Sequence, residues 1–343
     1  MKRTIALFLL ASMLVMLPCC CSKQSPLPSG DGTEIFRWYG DTYPIAFQIT
    51  DVGFFALISK DGETPYALGF GSDAAHMEAL HTFPEMAEVS SFHADGRFAV
   101  WCEKVDGCYS YYALDAETQQ TISLYAQTNP VAGKIVIQAD TAYFLVKESS
   151  EQTTRILSSS LIGGETSTLL RYEKDYIYDL ILDCGVLYGF AGTAVLRLAL
   201  TGGEITHSSL GQSSALCHCI AVHTLSGGAF YTVTSGIDPE SGIRILQMEQ
   251  YQPERVILNQ WKENESIPDG MLSVTDDAVI WITKEIGEDW MTHKMTVYDI
   301  QTESKTLYPN ALAFTVHENQ LYYLAREKGQ TNDSTVLYLA NVI

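Results

Sequence analysis

Six acidic residues recur at one place in a repeating pattern. Asp51, Asp95, Asp140, Asp183, Asp276 and Glu318 each stand at a turn just before a β-rich run. Hard cations take several oxygens at once, so carboxylates from successive turns could ring a cation site. The plainer reading is turn chemistry, because Asp stabilises tight turns through its own backbone. Ser226 occupies the corresponding place in another segment and interrupts the acidic series.

Two tryptophans make a second candidate. Trp261 falls in NQWKENESIPDG (259–270) and Trp290 in KEIGEDWMTHK (284–294), beside Glu285 and Asp289. Exposed rings next to carboxylates could stack on a sugar or seat a peptide side chain. The alternative is that each indole folds back over its own loop, since Trp is usually largely buried.

The cysteines divide into two groups. Cys19, Cys20 and Cys21 follow an apolar run, while Cys102, Cys108, Cys184, Cys217 and Cys219 lie beyond it. Cys102 and Cys108 flank one hairpin loop and could form a disulfide in an exported protein. Cys217 and Cys219 share one strand face, but with Cys184 they are too few for a structural metal set, so buried thiols are expected.

Catalytic signatures are absent. There is no G-x-S-x-G elbow, no H-E-x-x-H, no phosphate-binding glycine loop and no dinucleotide fingerprint. No catalytic residue, metal or cofactor is therefore expected, although carboxylates could still pair across an axis that sequence spacing does not show.

The elements that would position these side chains come from an internal repeat. TDVGFFAL (50–57), ADGRFAVW (94–101), ADTAYFLV (139–146), DCGVLYGF (183–190), SGGAFYTV (226–233), TDDAVIWI (275–282) and HENQLYYL (317–324) share a turn followed by a strand-like run. Their anchors, Gly53, Gly96, Thr141, Gly185, Gly228, Asp277 and Asn319, are 43, 45, 44, 43, 49 and 42 residues apart. Four strands fit in each interval, with helical periodicity nearly absent. The spacing predicts an all-β protein, a seven-bladed β-propeller.

The clearest repeat, Phe92 to Leu124, reads FHADGRFAVW and then SYYALDAETQQTISL. It resembles the TolB-type (WD40-like) propeller repeat, F-S-P-D-G-x-x-Φ-A-F followed by Φ-Y-x-Φ-D-Φ-x-T-G. AVLRLALTGGEIT (194–206) is similar to the ending of related extracellular propellers. Blade two and the second half of blade four carry the motif, and the other blades keep only its spacing. The resemblance covers the chain from about Glu34 onward. It implies a fold and no single activity, because such repeats serve binding proteins, assembly factors and peptidase regulatory domains alike.

Three segments are expected. Residues 1–21 read as a lipoprotein-like signal: MKR, the apolar run Thr4 to Leu17, then Pro18 and the cysteine triplet. Cys20, with Cys19 at −1 and Leu17 at −3, is the expected lipidation site. Residues 22–33 (SKQSPLPSGDGT) have a tether's composition, and residues 34–343 form the propeller. The last repeat ends at its third strand, STVLYLANVI (334–343), while EIFRWYG (34–40) is a strand left over at the front. Pairing the two closes the ring, with Phe36 and Trp38 sealing it.

The chain carries 21 basic and 41 acidic residues, a formal charge of −20. That balance excludes nucleic acid as a partner and leaves a lipid anchor as the only expected membrane attachment. The combined expectation is an exported, lipid-anchored binding or scaffold module on the bacterial surface that recognises a glycan, peptide or protein. The alternatives are a propeller lyase or glycosidase using axial carboxylates, and an envelope assembly factor.

Overall fold

In a computed structural model, seven four-stranded antiparallel sheets follow one another along the chain. Residue 30 and residues 32–340 are described, apart from 61–63, 86, 129–131, 149–152, 174–175, 178, 192–193, 201–205, 210–218, 226–228, 238–242, 252–255, 263–266, 268–270, 285–292 and 328–332. The first strands of blades one to six lie side by side in order. Blade six reaches the first strand of blade seven through its second and third strands, and that strand returns against blade one. This is a closed seven-bladed β-propeller.

Burial explains why these segments are strands. The second strand of blade one, Gly53–Ser59 (GFFALIS), and that of blade six, Ala278–Thr283 (AVIWIT), are buried at every position. A strand covered on both faces reads as a continuous apolar run, and one covered on one face alternates. The outermost strands are covered less; Glu78–Thr82, for one, has no fully buried position. Between successive blades the inward-facing side chains meet in separate apolar clusters. Phe98, Val100 and Tyr111 of blade two pack on Ile135, Phe144 and Leu157 of blade three, and every other junction repeats the plan.

The ring closes as the leftover strand suggests. Gly32–Tyr39 pairs antiparallel with Ser334–Ala340, from Gly32 opposite Ala340 to Tyr39 opposite Ser334. Blade seven thereby takes its outer strand from the front of the chain. Phe36 and Trp38 pack against the cluster joining blades seven and one, where Phe47 and Phe54 meet Leu324 and Leu337. Closure removes the unpaired edge that an incomplete blade would present.

No disulfide joins Cys102 and Cys108. Register forbids the bridge. Cys102 faces Tyr111 across the hairpin while Cys108 faces Val105, three residues further along. At about 3.4 Å per residue along a strand, the two cysteines lie farther apart than a disulfide spans.

The expected signal with Cys20, and the expected tether up to residue 29 with residue 31, lie outside the described residues, while Gly32 and Thr33, at the end of the expected tether, already belong to the closing strand. Among the described residues no helix is long and apolar enough to cross a membrane.

Candidate functional site

The first strands of the blades surround a central cavity of about 640 Å³. Its walls come from Tyr43–Thr50, Glu88–Asp95, Ala132–Gln138, Asp179–Asp183, Cys219–Thr224, Leu272–Val274 and Ala311–His317. Innermost strands face the axis along one edge, so polar side chains from all blades can converge there.

The rim is formed by the turns between first and second strands. Two are two-residue turns with left-handed backbone: Cys184 and Gly185 have φ of 46° and 74°, and Glu318 and Asn319 have 49° and 60°. Positive φ at both central positions matches the right-handed twist of the flanking strands.

Asp183, Asp276 and Glu318 line the cavity. Asp51 is exposed beside them, with its carboxylate 3.8 Å from His317 Nε2. Donor atoms of Asp51, His317 and Glu318 all lie within 4.8 Å of one another, so these three could share a hard cation. Asp95 and Asp140 are exposed and stand outside the described cavity wall. The acidic series is therefore an arc and not a full ring.

The two histidines of the rim tie this arc together. His223, on blade five, lies between carboxylates of blades four and six: Nε2 is 3.1 Å from Asp276 and Nδ1 is 4.0 Å from Asp183. Asp183 also accepts the backbone N–H of Thr224 on the neighbouring blade. Thr50 and Thr275, not the acids, accept bonds from nearby N–H groups in their turns. Beside Asp183, the exposed Cys184 thiol is pushed up by burial and by Asp183 and Asp276, which disfavours a metal-binding thiolate.

Deeper in the cavity the chemistry changes. Lys134 on blade three reaches Asp179 on blade four at 4.0 Å. Asp179 also accepts the N–H of Leu180 at 2.9 Å. Gln48 of blade one meets His93 of blade two, Nε2 to Nδ1 at 3.3 Å, and its carbonyl accepts the N–H of Ala94. Burial, helped by the charge of Lys134, holds the His93 imidazole down at about 4. His93 is thus neutral at pH 7.

Trp261 is not in a loop. It sits in the outer strand of blade five, Val256–Lys262, opposite Leu246. It is 8% exposed. Its ring lies 5.8 Å from Trp281 and 4.6 Å from Tyr298 on blade six. A bulge between Met248 and Glu249 sets the register that turns the indole into this junction. Trp290, Asp289 and Glu285 lie outside the described residues.

Sequence reasoning did not single out Gln48, His93, Lys134 or Asp179. Their signal is a polar residue at an inner-strand position, and nothing in the local sequence marks it as facing the axis.

No protein-family model and no curated protein matches this chain. Solved structures match it along nearly its whole length. The propeller domain of the trilobed protease from Pyrococcus furiosus, described as having an open velcro topology, has a TM-score of 0.55 at 12% identity. The match covers 90% of this chain and 95% of that one. The chain is a seven-bladed β-propeller. The WD40 domain of Neurospora crassa Pan2 has a TM-score of 0.53 at 10% identity, covering 93% and 98%. Kuenenia stuttgartiensis hydrazine synthase has 0.56 at 11%, covering 85% and 95%. At such identities the likeness concerns the fold alone, one that commonly serves as a binding or scaffold module.

Proposed function

We propose that this propeller is an exported, lipid-anchored binding module, tethered through Cys20, that receives a cationic group of its ligand at the acidic rim. One observation carries the reading: a cavity of about 640 Å³, within the usual size of ligand sites, has Asp183, Asp276 and Glu318 converging on its mouth. Carboxylates at the edge of a low-dielectric well focus their field into it and concentrate cations there. The acidic balance of the whole chain acts in the same direction. The partner is a glycan, peptide or protein bearing an amine or guanidinium.

Peptide and glycan arrays probed with the full chain test this. Binding should favour basic ligands, weaken with salt, and fall in both Asp276→Asn and Asp51→Asn. Arrays without a hit, or hits indifferent to both substitutions, sink the reading. The tether is tested separately: labelling with a fatty-acid analogue should mark the chain and be lost in Cys20→Ser, and labelling that survives the change overturns the assignment.

A further inference from the structure

The cavity wall has one feature that an acidic rim does not account for. Lys134 is its only lysine or arginine among the described residues, set against Asp179, Asp183, Asp276 and Glu318. It lies four residues from Gln138, where the inner strand of blade three meets the rim turn. At about 3.3 Å per residue, that places its backbone roughly 13 Å below the mouth.

The ion pair of Lys134 with Asp179 is loose. The 4.0 Å separation is at the outer limit for such a contact, and the same Asp179 oxygen accepts the N–H of Leu180. The ammonium, with three donors, retains capacity for another anion. Between this cation and the acidic mouth stand uncharged polar groups, Gln48, neutral His93 and Thr315, spaced around the wall.

We infer that the cavity is built for a dipolar ligand, a short peptide whose C-terminal carboxylate meets Lys134 while a basic group stays at the rim. This rests on the proposed binding of cations at the rim and specifies the ligand class of that site. The length fits: an extended peptide advances about 3.3 Å per residue, so some four residues bridge the two poles. A free amino acid is too short to reach both. The polar groups between the poles match the amides of such a chain. The arrangement also filters ligands, because the acidic mouth repels a bare anion and admits a carboxylate that travels with a cation.

Isothermal titration of the full chain with lysyl-triglycine and with its C-terminal amide provides the test. The free acid should bind at least about ten-fold more tightly than the amide, the difference expected of one charge-assisted contact. Lys134→Met should abolish this preference and Lys134→Arg should preserve it, while Asp276→Asn weakens both peptides. Acid and amide binding alike to the unaltered protein overturns the inference, and the comparison stands even if Lys134→Met fails to fold. In that case, continued weakening of both by Asp276→Asn leaves the acidic-rim reading intact. Binding of neither peptide overturns the inference, while the acidic-rim reading stands or falls with the arrays.

Discussion

Arg37, in the first strand of the propeller, donates from Nη1 to Glu327 Oε2 at 2.7 Å across 290 positions of chain. The same nitrogen reaches Ser334 Oγ at 2.8 Å, and Nη2 reaches Glu34 at 2.5 Å. The guanidinium thus spans the closing strand and two strands of blade seven. Its charged form is further stabilised by its hydrogen bonds to Glu34 and Glu327. Burial pushes the Glu327 carboxyl up, but the Tyr338 hydroxyl and Arg37 outweigh it and leave it below the ordinary value.

The first prediction concerns closure. Arg37→Met should destabilise the propeller by about 1–2 kcal/mol, a partly exposed pair being discounted for screening. A folded carboxyl with a depressed pKa contributes stability above its unfolded pKa and loses it as pH falls through the folded value. The penalty of Arg37→Met should therefore be present at pH 7 and shrink below about pH 4. Urea unfolding at both pH values checks this, and an equal penalty at each would refute it. Burial and the bond to Glu327 push the Tyr338 hydroxyl up to about 12, so its ultraviolet titration should return toward the ordinary tyrosine value in Glu327→Gln.

A second prediction follows from His93, whose folded pKa is about 4 against an ordinary 6.5. Between these values the unfolded chain binds more protons. Stability from this group is complete above pH 6.5 and falls by about 1.4 kcal/mol per unit toward pH 4. His93→Gln should flatten that slope in denaturant midpoints measured from pH 4 to 7. In Lys134→Met the imidazole resonance should titrate at a higher pH. An unchanged slope in His93→Gln would count against the burial of this ring.

Trp261 is predicted to act through packing. Besides Trp281 and Tyr298, its ring lies 5.7 Å from Lys305 Nζ, which is 5.3 Å from the Trp281 ring as well. Trp261→Ala should cost about 3–5 kcal/mol, and Trp261→Phe less. Thermal denaturation measures both. A well-folded Trp261→Ala protein that loses only ligand binding would restore the indole to a recognition site.

The thiols give the fourth prediction. Cys102 is buried and Cys108 only partly so. A thiol reagent should modify Cys108 in the native protein and reach Cys102 only on unfolding. Cys108→Ser should not alter stability in oxidising or reducing buffer. A mass two units low in a digest fragment holding both cysteines would show the bridge that the register rules out.

What the sequence determined by itself was local and periodic. Each blade is a run of consecutive antiparallel strands, so its turns and apolar segments are written within about 45 residues. The recurring anchors from Gly53 to Asn319 count the blades without any knowledge of how they meet. The leftover strand at 34–40 foretold the pairing with residues 334–340, because an unmatched edge and an unmatched strand satisfy one another.

Tertiary structure decided everything that depends on neighbouring blades. Trp261 stands in a polar segment that reads as a loop, yet register carries it into the junction with blade six. The acidic turns recur evenly in sequence, but only some converge on the cavity, since each blade sets its own turn geometry. Gln48, His93, Lys134 and Asp179 come from four successive blades and meet through the packing of neighbouring inner strands. No sequence interval encodes that meeting, because distance across the axis depends on how the sheets pack and not on the chain between them.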